Sequence, residues 1–241
     1  MFRGLYAAAT ALDAAQMRHE VTAHNMANAN TPGFRQQGVR FETFNLLIGR
    51  DQPPPPDIVG TRLAAGYTDF RPAALQATGN PFDLALGEPD HFFAVQGPAG
   101  TLYTRNGTFR LTPQGQLVTA EGYPLQGESG PVVVPAGAAN VNIASDGNVT
   151  ADGGPVGRVR VVRFADPTQL SPAGPTAYSA APAVQPQEAT GRVVQGFREG
   201  SNVNPTEAMV GMIATTRYYE AAQRALRAIA ESVQLNTRPQ G

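Results

Sequence analysis

The hydrophobic pattern is most regular near the end of the chain, over residues 204–236. Asn204 is followed by Pro205 and, three positions on, by Glu207, an order typical of an N-cap, a first helical residue and a capping-box acid. Beyond this start, apolar and small residues alternate spacings of four and three: Ala208, Met212, Thr215, Tyr219, Ala222, Leu226, Ile229 and Val233. The spacing predicts one long amphipathic helix whose narrow apolar face needs a partner.

A second helical pattern covers residues 3–29. One face carries, at heptad spacing, Leu5, Ala8, Leu12, Ala15, His19, Thr22 and Met26. Alanines permit close approach of another helix but contribute little burial, at about 0.8 kcal/mol per buried CH₂. Asp13 interrupts the apolar run and Glu20 continues the polar face, so we expect no cleaved signal peptide. No stretch approaches the roughly 20 apolar residues of a membrane-spanning helix.

Between these helices the pattern changes to short apolar runs separated by turn residues, which is typical of β-hairpins. The runs are residues 92–95, 101–104, 108–111, 117–119, 131–134, 141–143 and 158–162. The turns carry Pro113-Gln114-Gly115, Glu121-Gly122, Asp146-Gly147 and Asp152-Gly153, which accept positive φ.

These patterns predict a mostly β chain with long terminal α-helices and a discontinuous architecture. Residues 1–35 and 201–241 form a paired helical arm, and residues 78–180 form an inserted all-β domain. Residues 36–77, which include the polyproline segment Gln52–Asp57, are expected to be an extended connector. Residues 170–187 are expected to be a loop or an extended edge, and residues 181–200 a returning connector with a strand at 192–197.

Composition narrows the function further. The 241 residues carry a formal net charge of −1, which gives no electrostatic case for nucleic acid as a partner. The absence of cysteine excludes disulfides and thiolate chemistry, and the absence of lysine excludes Schiff bases and a P-loop lysine.

Few residues of the sequence are candidates for metal binding or catalysis. His19 and His24 lie five residues apart and do not share a helix face, so with His91 they predict no metal site. Residues 146–152 imitate a calcium loop but lack its glycine and its closing glutamate. Glycan hydrolysis would need paired carboxylates, and the central candidates, Glu88, Asp90, Glu121 and Glu128, all neighbour glycine or proline in predicted turns. We therefore expect no catalytic, cofactor or metal site.

Two terminal motifs resemble those of bacterial flagellar rod and hook proteins. After the first helix the resemblance rests on Asn25, Asn28, Thr31, Pro32, Gly33 and Phe34, with Met26 and Arg35 replacing a usual leucine and lysine. Before the last helix it rests on Ser201, Asn202, Val203 and Asn204. The β region adds residues 79–86, 92–95 and 103–109, although His91 replaces a usual glycine.

The resemblance implies a structural rod subunit of the flagellar basal body that helps to transmit torque across the periplasmic space. In that family the terminal helices form an inner tube, β domains form the outer wall, and subunits leave the cell through the flagellar export apparatus. Expected partners are that apparatus and other rod and hook-basal-body subunits. The candidate assembly residues are Leu5, Leu12, Met26, Met212, Tyr219, Leu226, Ile229 and Val233.

The chain most resembles the proximal rod member, and the distal member of the same family is the alternative. Two hypotheses of other classes stay open. One is a cell-wall-binding or wall-cleaving β domain with an oligomerising helical tail, and the other is a soluble adaptor that binds one partner helix.

Overall fold

The computed structural model describes residues 2–45 and 59–237, and the side chains of residues 7–42 and 61–231. The chain is mostly β with one long helix at each end, as predicted. It divides into two compact units, each built from separate stretches of sequence. The helical unit comprises Met1–Ala27, Gln37–Thr68 and Asn204–Gly241, and the β unit comprises Asn28–Gln36 and Asp69–Val203.

The helical unit contains α1 (Phe2–Ala27), β1 (Gln37–Asn45), β2 (Val59–Thr68) and α2 (Pro205–Thr237). The predicted N-cap is confirmed, because the side-chain oxygen of Asn204 accepts hydrogen bonds from the N–H groups of Thr206 at 3.0 Å and Glu207 at 3.4 Å. Within the described residues, neither helix carries an apolar stretch of the length and hydropathy that a bilayer crossing requires.

Helices α1 and α2 lie against each other. Ala15 and Thr215 are 4% and 6% exposed, and the two side chains line the same cavities. Closer to the end of α1, Thr22 lies opposite Gly211, where an added Cβ would be 3.8 Å from the threonine methyl group. Residue numbers thus rise along one helix as they fall along the other, so the two helices run antiparallel.

Strands β1 and β2 correct the expectation of a connector over residues 36–77. They pair antiparallel from Gln37 opposite Thr68 to Asn45 opposite Val59, with a bulge between Arg40 and Phe41. Contacts from distant sequence support them, since the Arg18 guanidinium of α1 lies 5.4 Å from the centre of the Phe41 ring. The polyproline segment lies outside the described residues.

The β unit consists of short strands: β3 (Leu75–Ala77), β4 (Leu84–Leu86), β5 (His91–Gly97), β6 (Gly100–Thr104), β7 (Arg110–Leu111), β8 (Leu117–Val118), β9 (Gln126–Gly127), β10 (Gly130–Pro131), β11 (Val141–Ile143), β12 (Asn148–Ala151), β13 (Gly154–Arg158), β14 (Val161–Arg163), β15 (Leu170–Pro172), β16 (Ala177–Ala180), β17 (Gln187–Glu188), β18 (Val193–Gln195) and β19 (Phe197–Glu199). A one-turn 3₁₀ helix, Pro167–Gln169, precedes β15.

The largest sheet has the antiparallel order β15-β16-β6-β5-β14-β17. Strand β5 is buried on both faces, because alternate side chains point into two separate hydrophobic clusters. Phe93 packs edge-to-face on Phe109 in one cluster, and Phe92 packs edge-to-face on Phe164 in the other. The predicted apolar run at residues 92–95 is therefore the central strand of the unit.

The structure bears out one expectation in the β unit and corrects another. Residues 170–187, predicted to be a loop or an extended edge, contain the edge strand β15 of the largest sheet and its neighbour β16, because Leu170 and Tyr178 bury their side chains in the cluster around Phe92. The predicted single strand at residues 192–197 is two strands, β18 and β19, with Gly196 between them at a φ of +77°. Strand β18 pairs with β4, and β19 pairs with β3.

Candidate functional site

The two terminal motifs meet inside the β unit. The N–H of Gly33 donates to the carbonyl of Glu199 at 2.9 Å, and the N–H of Asn202 donates to the carbonyl of Phe34 at 3.4 Å. Residues 31–36, which follow α1, thus lie beside residues 199–203, which precede α2. We call this region the junction.

A buried carboxylate lies at the centre of the junction. Glu199 Oε1 accepts from Arg35 Nη2 at 2.6 Å and from the N–H of Ala73 at 2.9 Å. Its Oε2 accepts from Arg105 Nε at 2.7 Å, and Arg105 Nη2 lies 2.6 Å from the same oxygen. The side chains of Arg35, Arg105 and Glu199 are at most 2% exposed. One carboxylate therefore joins four separate stretches of the chain.

Arg105 extends the cluster to the β4–β5 loop. Its guanidinium donates to the carbonyl oxygens of Glu88 at 2.5 Å and His91 at 2.6 Å, and more weakly to that of Leu86 at 3.3 Å. Burial lowers the pKa of Arg105 from its ordinary value, and the charge of Glu199 opposes that shift. Burying such a cation requires these acceptors, because a charge removed from water is costly unless it is paired.

Two uncharged residues bring the segments close together. Gly33 has a φ of +69°, and a Cβ added there would lie 2.3 Å from the backbone nitrogen of Asn106. The Asn202 amide donates to the carbonyl of Asp69 at 2.8 Å and to that of Arg71 at 3.1 Å, while its oxygen accepts from the N–H of Gln36 at 2.7 Å. The junction is thus a structural site in which side chains satisfy the backbone of neighbouring segments.

Comparison with known families matches three regions of the chain. Residues 5–35 match a model described as flagella basal body rod protein, and residues 194–235 match the C-terminal model of flagellar basal body rod FlgEFG proteins. Residues 88–151 match the flagellar hook protein FlgE/F/G D1 domain.

Curated relatives match over nearly the whole chain. The flagellar basal-body rod protein FlgF of Salmonella typhimurium is 36% identical over 96% of this chain and 96% of its own length. FlgF of Escherichia coli is 34% identical over 95% and 94%, and the rod protein FlgG of Bacillus subtilis is 31% identical over 97% of each chain. The chain belongs to the flagellar basal-body rod protein family. Its expected function, as a structural component of the rod and not an enzyme, is confirmed by this membership.

The motif residues of the rod family organise backbone turns. Phe34 donates its N–H to Thr31 at 3.2 Å across Pro32 and Gly33, which is the predicted turn. Asn25 exchanges two hydrogen bonds with the backbone of Gln37, at 2.7 and 2.8 Å. The other motif side chains act locally: Asn28 accepts from Thr31, Ser201 accepts from the N–H of Val203, Asn204 caps α2, and Phe34 and Val203 are buried.

The candidate assembly residues of this rod protein lie in α1 and α2. Most of them are half-buried, namely Leu12, Met26, Met212, Leu226 and Ile229, and Tyr219 is 36% exposed. Those in α2 share the face of the buried Thr215, which is the face that packs on α1. The side chains of Leu5 and Val233 lie outside those described.

The motifs of the sequence include Arg35 and, within residues 103–109, Arg105, but they did not predict that both arginines contact Glu199. Pairing them required knowledge of which segments meet in space.

Three of the four candidate residues of the enzyme hypothesis take structural roles, and the fourth, Glu121, is exposed. Burial acts to raise the pKa of Asp90, but hydrogen bonds from Arg163 and His91 hold that pKa below its ordinary value. Glu88 accepts from the N–H of Arg192, and Glu128 pairs with Arg158. A glycosidase acid needs a raised pKa, so Asp90 is unsuited to that role. The described residues contain no group of side chains arranged as metal ligands.

We predict that Glu199→Ala strongly destabilises the β unit. It leaves two buried guanidinium groups without their carboxylate, a change that costs about 3–5 kcal/mol. At about 2–4 °C per kcal/mol for a chain of this size, the melting temperature should fall by roughly 6–20 °C. Thermal unfolding followed by circular dichroism measures the shift. Glu128→Ala is the control, because it breaks a more exposed ion pair worth at most about 1 kcal/mol; an equal shift in both variants would contradict the role given to Glu199.

A second prediction separates close packing at Gly33 from its backbone conformation. Gly33→Ala introduces a methyl group against the backbone of Asn106, whereas Gly79→Ala, at a φ of +71°, meets nothing within 4 Å. Both substitutions carry the cost of a left-handed conformation, about 1–2 kcal/mol. Gly33→Ala should lower the free energy of unfolding by about 1–3 kcal/mol more than Gly79→Ala does, because the added methyl group overpacks the junction. Urea unfolding measures the loss of stability in both variants. Equal losses would show that the backbone around Asn106 moves to accept the methyl group at no cost in stability.

Proposed function

We propose that this chain is the proximal rod subunit, the role for which FlgF relatives give the best support. The FlgF proteins of Salmonella typhimurium and Escherichia coli are 36% and 34% identical to it, against 31–33% for the FlgG proteins of Bacillus subtilis and Buchnera aphidicola. The distal rod is the second candidate, because FlgG proteins also match over nearly the full length.

We infer that the helical unit is the assembly arm of this subunit. The observation that carries this inference is the exposure of large apolar side chains on α2: Met209 is 53% exposed, Val210 61%, Ile213 52% and Tyr218 58%. A monomer gains nothing from apolar groups left in water, whereas helices of neighbouring subunits would cover them.

The candidate assembly residues act within this arm. By holding α2 against α1, the half-buried side chains Met212, Leu226 and Ile229 give the pair one shape, so that its exposed faces meet other rod and hook-basal-body subunits in a defined geometry. Delivery of the subunit through the flagellar export apparatus, without a cleaved signal peptide, belongs to the same proposal.

Deletion in the parent bacterium tests the proximal position. Cells without this chain should be non-motile, and their isolated basal bodies should end before the distal rod, because each rod segment is the template for the next. The subunit can also carry an epitope tag in an exposed turn of the β unit. Electron microscopy of such basal bodies should place the label in the half of the rod nearer the cytoplasm. A label in the outer half would favour the distal alternative.

The assembly arm makes a prediction for Leu226→Asp. The substitution places a carboxylate on the face of α2 that packs on α1, where an uncompensated charge costs several kcal/mol. Because Leu226 belongs to the helical unit, the β unit should melt within about 2 °C of wild type, a small shift on the scale of degrees per kcal/mol. We expect wild-type protein to form filaments at high concentration in electron micrographs and Leu226→Asp protein to form none.

Arg227→Ala is the matched control for this variant, since Arg227 is exposed one position further along α2. It should form filaments as wild type does. A Leu226→Asp protein that still assembles would exclude the packed face of α2 from any part in assembly.

A further inference from the structure

Over residues 7–27, where the side chains are described, the outward face of α1 carries two acidic residues and no arginine. Of the seven exposed side chains in residues 7–27, six follow one stripe with spacings of four and three: Ala9, Asp13, Gln16, Glu20, His24 and Ala27. The seventh, Arg18, lies elsewhere, with its guanidinium over the Phe41 ring. Gln16 donates to the Glu20 carboxylate at 3.0 Å and leaves its charge in place. Neither Asp13 nor Glu20 forms an ion pair within the described residues.

The outward face of α2 carries a complementary line of charge. Arg217 and Arg224 are exposed on the side of α2 opposite Thr215. Neither forms an ion pair among the described residues, and Arg224 Nε donates to the carbonyl of Glu220 at 3.4 Å. The two arginines are seven residues apart, as are Asp13 and Glu20. Seven residues span about 10.5 Å of helix, so the two cations and the two anions have the same spacing along their axes.

Two glutamates and one further arginine share this face with Arg217 and Arg224. Glu220 and Arg227 lie beside the line of Arg217 and Arg224, and Glu231 lies further along it. The outer face of α2 thus carries three arginines and two glutamates. When Arg217 and Arg224 face the two acids of α1, Glu231 falls opposite Tyr6 in one direction and Ala27 in the other. Neither position repels it.

We propose that α1 of one copy docks on the outward face of α2 of a second copy, pairing Asp13 and Glu20 with Arg217 and Arg224. This contact rests on the proposed assembly function and names its surfaces. In an array of copies that share one direction, α1 of one copy is antiparallel to α2 of the next, because the two helices are antiparallel within each copy. The pairs are then Glu20 with Arg217 and Asp13 with Arg224.

Such a contact propagates. The surface on α1 differs from the surface on α2, so an array of any length has one free α1 surface at one end and one free α2 surface at the other. Copies can therefore keep adding, and the result is a closed ring or an open helical filament. Alanines beside the charges, at positions 9 and 27 on α1 and 221 and 228 on α2, allow the helix axes to approach closely. An open helical filament of this kind would be a rod.

Charge reversal on one surface at a time tests the contact. The α1 variant is Asp13→Arg/Glu20→Arg, and the α2 variant is Arg217→Glu/Arg224→Glu. Each variant alone should need at least about tenfold more protein than wild type to form sedimentable filaments, because like charges then face each other across the contact. Circular dichroism should show unchanged helix content in both variants.

Mixing the two variants is the decisive arm. In a one-to-one mixture, the basic α1 of one variant meets the acidic α2 of the other, and the basic α2 meets the acidic α1. The mixture should assemble within about threefold of the wild-type critical concentration, as should the chain that carries all four substitutions. Electron microscopy should show the same filaments.

Glu121→Arg/Glu188→Arg is the control, since it changes the net charge of the chain as the α1 variant does but on exposed residues of the β unit. It should assemble like wild type. The proposed contact is overturned if each helix variant assembles alone as well as wild type, or if the mixture stays soluble while wild-type protein assembles. Wild-type protein that remains monomeric at every concentration would overturn the assembly function itself, and this contact with it.

Discussion

The β unit depends on one buried carboxylate. Glu199 receives hydrogen bonds from Arg35, Arg105 and the backbone of Ala73, so a single side chain joins segments that are far apart in sequence. Breaking such a cluster is costly in proportion to its burial, because the partners that remain cannot be solvated. Arg105 in turn satisfies carbonyl oxygens of the β4–β5 loop, so the position of the central strand β5 is linked to the same charge.

This location gives the junction its structural importance. The segment that follows α1 and the segment that precedes α2 are hydrogen-bonded to each other inside the β unit through Gly33, Phe34, Glu199 and Asn202. The two terminal regions that match the rod family models therefore both contribute to one structural element, the junction. Their motif residues contribute hydrogen bonds to backbone groups and close packing, which explains why turn formers and amides predominate among them.

The helical unit follows a different principle. Ala15 and Thr215 allow α1 and α2 to approach closely, yet cavities of about 340 and 240 Å³ lie beside this contact, and several large apolar side chains of α2 remain exposed. Two helices and one hairpin bury few apolar groups. Such a unit is suited to association, because neighbouring copies can supply the packing that one chain lacks.

Local signals in the sequence were sufficient for much of this structure. Asn204 and Pro205 determined the start of α2, Pro32-Gly33 determined the turn after α1, and the apolar run at residues 92–95 marked the central strand, because each depends on neighbours within a few positions. Tertiary structure alone decided the rest. Val39 and Phe41 alternate with Arg40 and Glu42, a pattern compatible with a strand, but the pairing of residues 37–45 with residues 59–68 is a contact between separate segments, and α1 packs against it. Residues 170–180 were compatible with a loop or with an extended edge, and they form strands because Leu170 and Tyr178 fill a cluster built elsewhere in the chain. The partners of Glu199 lie 94 and 164 residues away, and no periodicity along the chain encodes which charges meet when distant segments pack together.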